Sequence, residues 1–449
     1  MTVEQDLAGI VGESHVLVDP DLRASYEVDW TGRFRGTARC VVRPADTAEV
    51  AAVLVACAAA NAPVTVQGGN TGLVGGGVPA GGEVLLSLVR LDSLEPVDAV
   101  AAQVTVGAGV RLEALQRHAQ SAGLDFGVDL AARSQATVGG LVATNAGGIR
   151  VVRHGSMRAQ LAGLEAVLAD GTVLSRLTPP AKDNTGYDWP QLLCGSEGTL
   201  AVITRVRVRL VAPSTQRAVA LVGVADTDAA LALLTDARRL TALCAAEIFY
   251  ADGLALVRAA NALAAPFSEM FPAYVVIEAA GAQPTIEILE LLSECDAVGD
   301  ATVASDPVGI ARLWAYRESH TEAINAAGVP VKLDVCVPLG SLSALVDQLP
   351  STVANAAPSS RLIVFGHLNE GNLHVNVLDA ADRDEAVTDA VLKLVASHGG
   401  SISSEHGVGR AKPPYLNLSR TPAEITLMRH LKASLDPTSL LNNGVLFPA

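Results

Sequence analysis

Residues 68–77 read GGNTGLVGGG, six glycines in ten positions, set between two short apolar stretches with strand character, VTVQ at 64–67 and EVLLSL at 83–88. A backbone so poor in Cβ atoms takes positive φ at little cost and can turn its N–H groups toward an anion. Asn70 and Thr71 add side-chain donors. The spacing is not that of a dinucleotide GxGxxG turn, and VGAGVRL at 106–112 lacks the third glycine of that pattern. Alone, the run is a phosphate cradle or a flexible turn. Two further runs share its texture. SQATVGGLVATNAGGIRVVRHGS, residues 134–156, brackets a small-residue helix between paired glycines, and KDNTGYDWPQLLCGSEGTLAVIT, residues 182–204, leads a GSEG turn into a strand. Each alone also fits close helix packing or a tight turn; three such loops in one domain favour a large nucleotide cofactor.

A chain of 449 residues exceeds one ordinary core, so two or three domains are expected. The texture changes at Pro213–Gln216, which gives domains of 1–212, 213–378 and a closing segment 379–449. The formal charge of -15, with no basic cluster, excludes nucleic acid as a partner. Six cysteines without a CxxC pair read as buried free thiols in a reducing compartment. The opening MTVEQDLAGIVGE is acidic, and the most apolar window breaks at Asn61–Pro63, so a soluble cytoplasmic protein without a transmembrane segment is expected.

Local patterns place the remaining elements. Asp46 with Glu49 has the pattern of a capping box ahead of a helix on which Val50, Val53, Leu54 and Cys57 fall on one face. Asp170-Gly171 turns a hairpin within 163–177. In the strand that begins near Val202, residues 202, 204, 206, 208 and 210 share one face, and Arg205, Arg207 and Arg209 share the other, toward water or a helix. Beyond 216, strands RAVALVGV, YVVIEAAG, VKLDVCVPL, RLIVFGH and NLHVNVL alternate with helical stretches, which suits an antiparallel sheet covered by helices, of the ferredoxin-like kind.

The second half also carries the polar residues that could do chemistry. Arg317 and Thr321 are four apart on a predicted helix and share a face. Arg317 suits a bidentate grip on a carboxylate, or a surface pair with Glu318 or Glu322. In VPVKLDVCVP, Lys332, Asp334 and Cys336 share one strand face and the apolar residues the other. His374 and Asn376 share a face two apart, His367 ends the strand before them, and Glu405-His406 sit in the glycine-flanked SSEHGVG. Two histidines, a carboxylate and an open position make a catalytic zinc set; histidines at a sheet edge are the alternative.

The motifs QGGNTGLVGGGVP, ATVGGLVATNAGGIRVVRHGS, DNTGYD, GSEGTLAVIT, RESHTEAI, GHLNEGNLHVN and EHGVG together resemble the FAD-linked oxidoreductases of the vanillyl-alcohol-oxidase type. Within them the chain is most similar to the D-lactate/glycolate dehydrogenase-like branch that includes the D-2-hydroxyglutarate dehydrogenases. The resemblance implies an α+β fold: a two-subdomain FAD-binding domain, a ferredoxin-like antiparallel-sheet substrate domain and a C-terminal helical segment. It implies that Gly68, Gly69, Asn70, Thr71 and Gly72 wrap the FAD pyrophosphate. Thr137, Gly140, Thr144, Asn145 and Gly147 would line the rest of the cofactor, with Gly198 and Ile203 toward its adenine. No histidine or cysteine lies in the first glycine loop, so the FAD is expected to be non-covalent.

For the substrate the resemblance implies Arg317, Thr321 and Lys332 as carboxylate binders and Asn376 as a hydrogen-bonding residue. It implies His367, His374 and Glu405 as Zn2+ ligands and His406 as the catalytic histidine. Two cations suit a dicarboxylic acid, so the expected reaction is oxidation of D-2-hydroxyglutarate to 2-oxoglutarate by hydride transfer from C2 to flavin N5. Electrons would pass to an electron-transfer flavoprotein or a quinone-linked acceptor. A D-lactate or broad D-2-hydroxy-acid dehydrogenase (D-malate included) and a catalytically silent flavin-binding subunit are the alternatives, and a homodimer is left open. Two positions depart from the family pattern: Asn369-Glu370 stands where Gly-Asp is common, and Val445 where many relatives carry lysine.

Overall fold

The computed structural model describes residues 2–180, 182–214 and 216–448, so Thr215, within the boundary expected at Pro213–Gln216, lies outside the described residues. The chain forms two compact units: Met1–Gly148, His154–Pro213 and Glu405–Ala449 make the first, and Ile149–Arg153 with Ser214–Ser404 make the second.

The first unit holds two four-stranded sheets. One is built from β1 (Val16–Leu17), β2 (Cys40–Val42), β3 (Val64–Gln67) and β4 (Val84–Ser87), in the order β1-β2-β4-β3, with β4 parallel to both β2 and β3. Adjacent parallel strands need a long return connection, usually a helix. Between β3 and β4 that return is made by the glycine-rich loop itself, residues 68–83, and this is what the six glycines allow. The helix Thr47–Ala59 packs Val50, Val53, Leu54 and Cys57 inward, as its spacing predicts. Asp46 caps it by accepting from the Glu49 amide at 2.8 Å. Glu49 reaches back to the Ala45 amide at 2.7 Å, one residue earlier than a standard capping box.

The second sheet of this unit contains β5 (Gln103–Gly107), β6 (Leu161–Val167), β7 (Val173–Arg176) and β8 (Val202–Arg209), all antiparallel in the order β5-β8-β6-β7. The hairpin between β6 and β7 turns at Asp170-Gly171, where Gly171 has φ +86. Along β8 the predicted alternation holds: Val202, Thr204, Val206 and Val208 are fully buried, and the arginines pair outward, Arg207 with Asp98 at 2.9 Å and Arg205 with Glu95.

The second unit is one seven-stranded antiparallel sheet. Its strands are β9 (Arg217–Val224), β10 (Leu243–Tyr250), β11 (Ala273–Ala280), β12 (Asp300–Ala304), β13 (Val331–Cys336), β14 (Arg361–His367) and β15 (Asn372–Leu378). They run in the order β12-β9-β11-β10-β14-β15-β13. Helices pack against the sheet, as expected for its class. The five strands expected from alternation are joined by two more, the edge strand β12 and the central β10. Seven of the eight residues of β10 are buried, so its sequence LCAAEIFY carries no two-residue rhythm. The segment after residue 378 divides: the helix Asp384–Ser397 belongs with this sheet, and residues from Glu405 onward belong to the first unit.

Candidate active site

In the first unit the loop after β3 closes over a cavity of about 180 Å³ lined by Gly68, Gly69, Asn70 and Thr137, with Tyr26, Gly109, Arg111 and Gln135 completing its wall. A Cβ on Gly69 would stand 2.0 Å from the Gln135 carbonyl oxygen, and one on Gly68 would stand 2.4 Å from Thr137 Oγ1, so bare backbone is required here. Thr137 Oγ1 is buried without a hydrogen-bond partner. An unsatisfied buried hydroxyl costs about 1–3 kcal/mol, and a phosphate or ribose oxygen in the cavity would remove that cost. Arg111 supplies a cation for an anionic group. These residues fit a nucleotide cofactor.

The other cofactor residues expected from the sequence are divided. Asn70, at φ +53, uses its amide to hold the loop, donating to the Val28 carbonyl at 2.7 Å. Thr71 and Gly72 are not among the residues lining the cavity. Thr144 Oγ1 donates to the Gly140 carbonyl at 3.0 Å. Asn145 ends the helix Val138–Thr144 in the left-handed region, and its Oδ1 accepts from Ser156 Oγ and the Arg158 amide, each at 2.9 Å. Gly198 has φ +70 and packs against Asn442, and Ile203 is a core residue. Tyr26, Gly109, Arg111 and Gln135 were not found from the sequence. Gly109 and Arg111 lie in the VGAGVRL stretch and Gln135 in the glycine run 134–156, but none was singled out as a cofactor residue.

Glu405 and His406 lie in the same unit, with a carboxylate oxygen and an imidazole nitrogen within 4.8 Å of each other. Glu405 Oε1 accepts from the Gly148 amide at 2.9 Å. Gly148 has φ +108, and a Cβ there would lie 1.9 Å from the Asp129 carbonyl oxygen. This donor therefore depends on glycine. The GSEG turn contributes Glu197, whose carboxylate accepts from the amides of Val408 at 2.9 Å and Gly409 at 2.7 Å. Burial pushes the Glu197 carboxyl above its ordinary range, opposed by those two amides and by Lys412. It fixes the loop just after His406, a role the sequence motif did not disclose.

In the second unit, strand register gathers the polar residues onto one sheet face. Lys332 lies opposite Asn376, and Asp334 opposite His374, across β13 and β15. Across β14 and β15, Phe365 lies opposite His374 and His367 opposite Asn372, and across β10 and β14, Glu247 lies opposite His367. Period-two alternation puts all of these on the same side. The His367 and His374 rings are 5.3 Å apart, centroid to centroid, in a T-shaped pair.

Two buried carboxylates, neither read as part of the site from the sequence, organise this face. Asp334 is fully buried; it accepts from Asn372 Nδ2 at 2.8 Å and the Ser404 amide at 3.0 Å, and lies 3.7 Å from His374 Nδ1. Glu247 pairs with Arg317 Nη2 at 2.7 Å and faces His367 Nδ1 at 2.7 Å. Arg317 also stacks 4.5 Å over the Phe365 ring, a cation–π contact. Breaking such a buried pair by removing one partner costs about 3–5 kcal/mol. Asn376 donates to the His374 carbonyl at 3.1 Å.

The single helix expected across Arg317 and Thr321 is interrupted. One helix runs Pro307–Glu318, a second His320–Ala327, and Ser319 between them has ψ -3. His320 turns its ring inward, and its Nδ1 meets the Arg317 carbonyl at 3.1 Å, the acceptor that would otherwise continue the helical ladder to Thr321. Arg317 is buried while Thr321 is exposed. Burial first, then the Arg317 charge, holds His320 down to about 3, so it adds no second cation beside Arg317.

A carboxylate beside each of two imidazoles suits a metal-binding role, because a ring that donates from Nδ1 keeps its lone pair on Nε2. Asp334 and His374 bring donor atoms within 4.8 Å of each other, and His367 is not in that group; the donor types of the three suit a divalent ion bound by nitrogen and oxygen. Glu405, expected with the two histidines as a ligand, belongs to the first unit.

The chain matches the family "FAD binding domain" over residues 38–176 and the family "FAD linked oxidases, C-terminal domain" over residues 214–446. It is 40% identical to D-2-hydroxyglutarate dehydrogenase, mitochondrial, of Bos taurus, an alignment covering 99% of this chain and 84% of that one. It is 39% identical to D-2-hydroxyglutarate dehydrogenase of Xanthomonas citri pv. viticola, over 94% of this chain and 92% of the relative. Among solved structures it resembles 4-ethylphenol oxidase from Gulosibacter chungangensis, with a TM-score of 0.76 at 17% identity over 99% of this chain and 97% of that one. At that identity the likeness speaks to fold, which is the vanillyl-alcohol-oxidase type expected from the motifs.

Proposed function

We propose, from the premise that the chain belongs to the FAD-linked oxidases in the family of FAD-dependent D-2-hydroxy-acid dehydrogenases, that its substrate is D-2-hydroxyglutarate and its product 2-oxoglutarate. Non-covalent FAD supplies the hydride acceptor, N5 of the flavin, for the hydrogen on C2. His367, His374 and Glu405, with Asp334 in support, would hold a divalent ion, zinc by preference, which when bound would supply the Lewis acidity that eases deprotonation of the C2 hydroxyl. His406 accepts the hydroxyl proton, a task suited to an imidazole near neutral pH. Glu197, by fixing residues 408–409, keeps that ring from swinging away.

The observation that carries the substrate assignment is the polar row on the β13–β15 face, where Lys332 lies opposite Asn376 and one step along from Asp334 and His374. Lys332 reads the distal carboxylate of the substrate, and Asn376 positions it by hydrogen bonding. Arg317, oriented by Glu247 and Phe365, acts on the carboxylate next to C2; Thr321, exposed on the following helix, is not assigned to it. Monocarboxylic acids satisfy only half of this arrangement.

Lys332→Met tests that assignment. The variant is expected to lose about 30–150-fold in kcat/KM for D-2-hydroxyglutarate, matching about 2–3 kcal/mol for one charge-assisted contact. D-Lactate turnover should change by less than about threefold. Equal losses on both acids, measured side by side in steady state, would assign Lys332 elsewhere and favour the broad D-2-hydroxy-acid reading.

The sequence carries neither a dinucleotide GxGxxG turn nor a CxxC pair, which supports an acceptor other than NAD: an electron-transfer flavoprotein or a quinone-linked carrier. No helix among the described residues is long and apolar enough to cross a membrane. Free cysteines, five of them buried, support a reducing compartment, and the cytoplasm is the location proposed. The bovine relative is named mitochondrial.

A further inference from the structure

We infer that Glu247 is a positioning residue that ties the metal-ligand histidine His367 to the carboxylate-binding Arg317, so that metal affinity and substrate affinity are set by one buried side chain. The inference rests on the proposed function for the roles of those two partners and adds Glu247, which no motif marks.

Glu247 lies in the middle of β10, the fourth of seven strands, and is 1% exposed. A carboxylate in that position is costly unless its oxygens are occupied. Oε1 meets His367 Nδ1 at 2.7 Å, and Oε2 is held as an ion pair 2.7 Å from Arg317 Nη2, although no hydrogen bond of good geometry reaches it. The strand pairing places Glu247 directly opposite His367, and this fixes the second contact through the backbone rather than through a flexible side chain. With the Nδ1–H committed to Glu247, the ring turns its Nε2 lone pair away from the carboxylate, in the orientation a metal ligand needs. Arg317 is held from two sides, by Glu247 and by the Phe365 ring 4.5 Å beneath it, and its Nε is buried without a hydrogen-bond partner. A guanidinium gripped along one edge and still holding an unmet buried N–H is set to receive a further acceptor. One side chain therefore orients both the imidazole and the guanidinium.

A second buried carboxylate in the same sheet provides the comparison. Glu278 on β11 is paired with Arg217 at 2.6 Å and accepts from Trp314 Nε1 at 2.8 Å, neither of them a proposed metal ligand. Losing it should lower stability alone.

The test uses the full chain loaded with FAD. Zinc affinity is measured by competition with a chromophoric chelator for the wild type, Glu247→Gln, Glu247→Asp and Glu278→Gln, alongside FAD content, melting temperature and KM for D-2-hydroxyglutarate. Glu247→Gln should weaken zinc binding about 10–100-fold, the usual effect of removing a carboxylate behind a metal-bound histidine, and raise KM, with FAD content unchanged. Glu247→Asp keeps the charge but shortens the reach and should fall between; it also carries the test if the glutamine variant fails to fold. Glu278→Gln should lower the melting temperature and leave zinc affinity where it was. Wild-type zinc affinity in a folded Glu247→Gln or Glu247→Asp protein overturns the positioning role while leaving the metal reading intact. A wild type that binds no zinc removes the metal reading, and this inference falls with it.

Discussion

Replacing His374 with alanine is expected to empty the proposed metal site and to lower kcat/KM by about a thousandfold or more, with FAD still bound. The magnitude follows from the chemistry at stake. Lewis-acid stabilisation of a developing alkoxide is worth several kcal/mol. Each step of about 1.4 kcal/mol in the barrier is a factor of ten in rate. His374 lies opposite Asp334 and Phe365 in the sheet of the second unit, whereas the cavity fitted to the cofactor is built from the glycine loop and residues 135–137 of the first. Metal content by elemental analysis and flavin content by absorbance therefore separate the two sites in a single preparation. A chelator-stripped wild type should match the variant and recover on adding zinc. Full activity after stripping would mean that the imidazoles and Asp334 are a structural cluster.

His406→Ala should lower kcat by about 10²–10⁴-fold, the span of general-base contributions, while KM, metal content and FAD content stay near wild type. The loop itself should survive, because Glu197 grips the amides of Val408 and Gly409 independently of the histidine side chain. The metal measurement carries a second meaning. His406 lies beside Glu405, close enough for both to serve one ion. A variant that loses metal as well as turnover would therefore reassign His406 as a ligand, and the proton acceptor would have to be sought elsewhere.

How much of this was legible in the sequence depended on whether a residue's partners were local. The hairpin at Asp170-Gly171, the helix capped by Asp46 and the alternation of β8 follow from interactions within a few residues, and each is found where its pattern put it. The polar faces of the two strands, Lys332 on one and His374 with Asn376 on the other, were also legible, because strand periodicity separates faces without reference to any neighbour; that they form one face came from the β13–β15 pairing. β10 was not. A central strand covered on both sides has no alternation to read, and its one charged residue, Glu247, takes its meaning from His367 and Arg317, both far along the chain. Asp334 was placed on the right face, but its contact with His374 needed the β13–β15 register. The helix through Arg317 failed for a different reason. Spacing alone cannot anticipate that His320 will turn inward and occupy the carbonyl that Thr321 needed.

Removal of hydride from D-2-hydroxyglutarate by this chain is read out by anaerobic reduction of its own flavin. Mixed with D-2-hydroxyglutarate in the absence of oxygen and of any acceptor, the FAD-loaded protein should lose its visible flavin absorbance within one turnover and yield one 2-oxoglutarate per flavin. The L-enantiomer should leave the flavin oxidised, and D-lactate should reduce it far more slowly. A flavin that stays oxidised with D-2-hydroxyglutarate while dithionite bleaches it would mean that this acid is not the hydride donor.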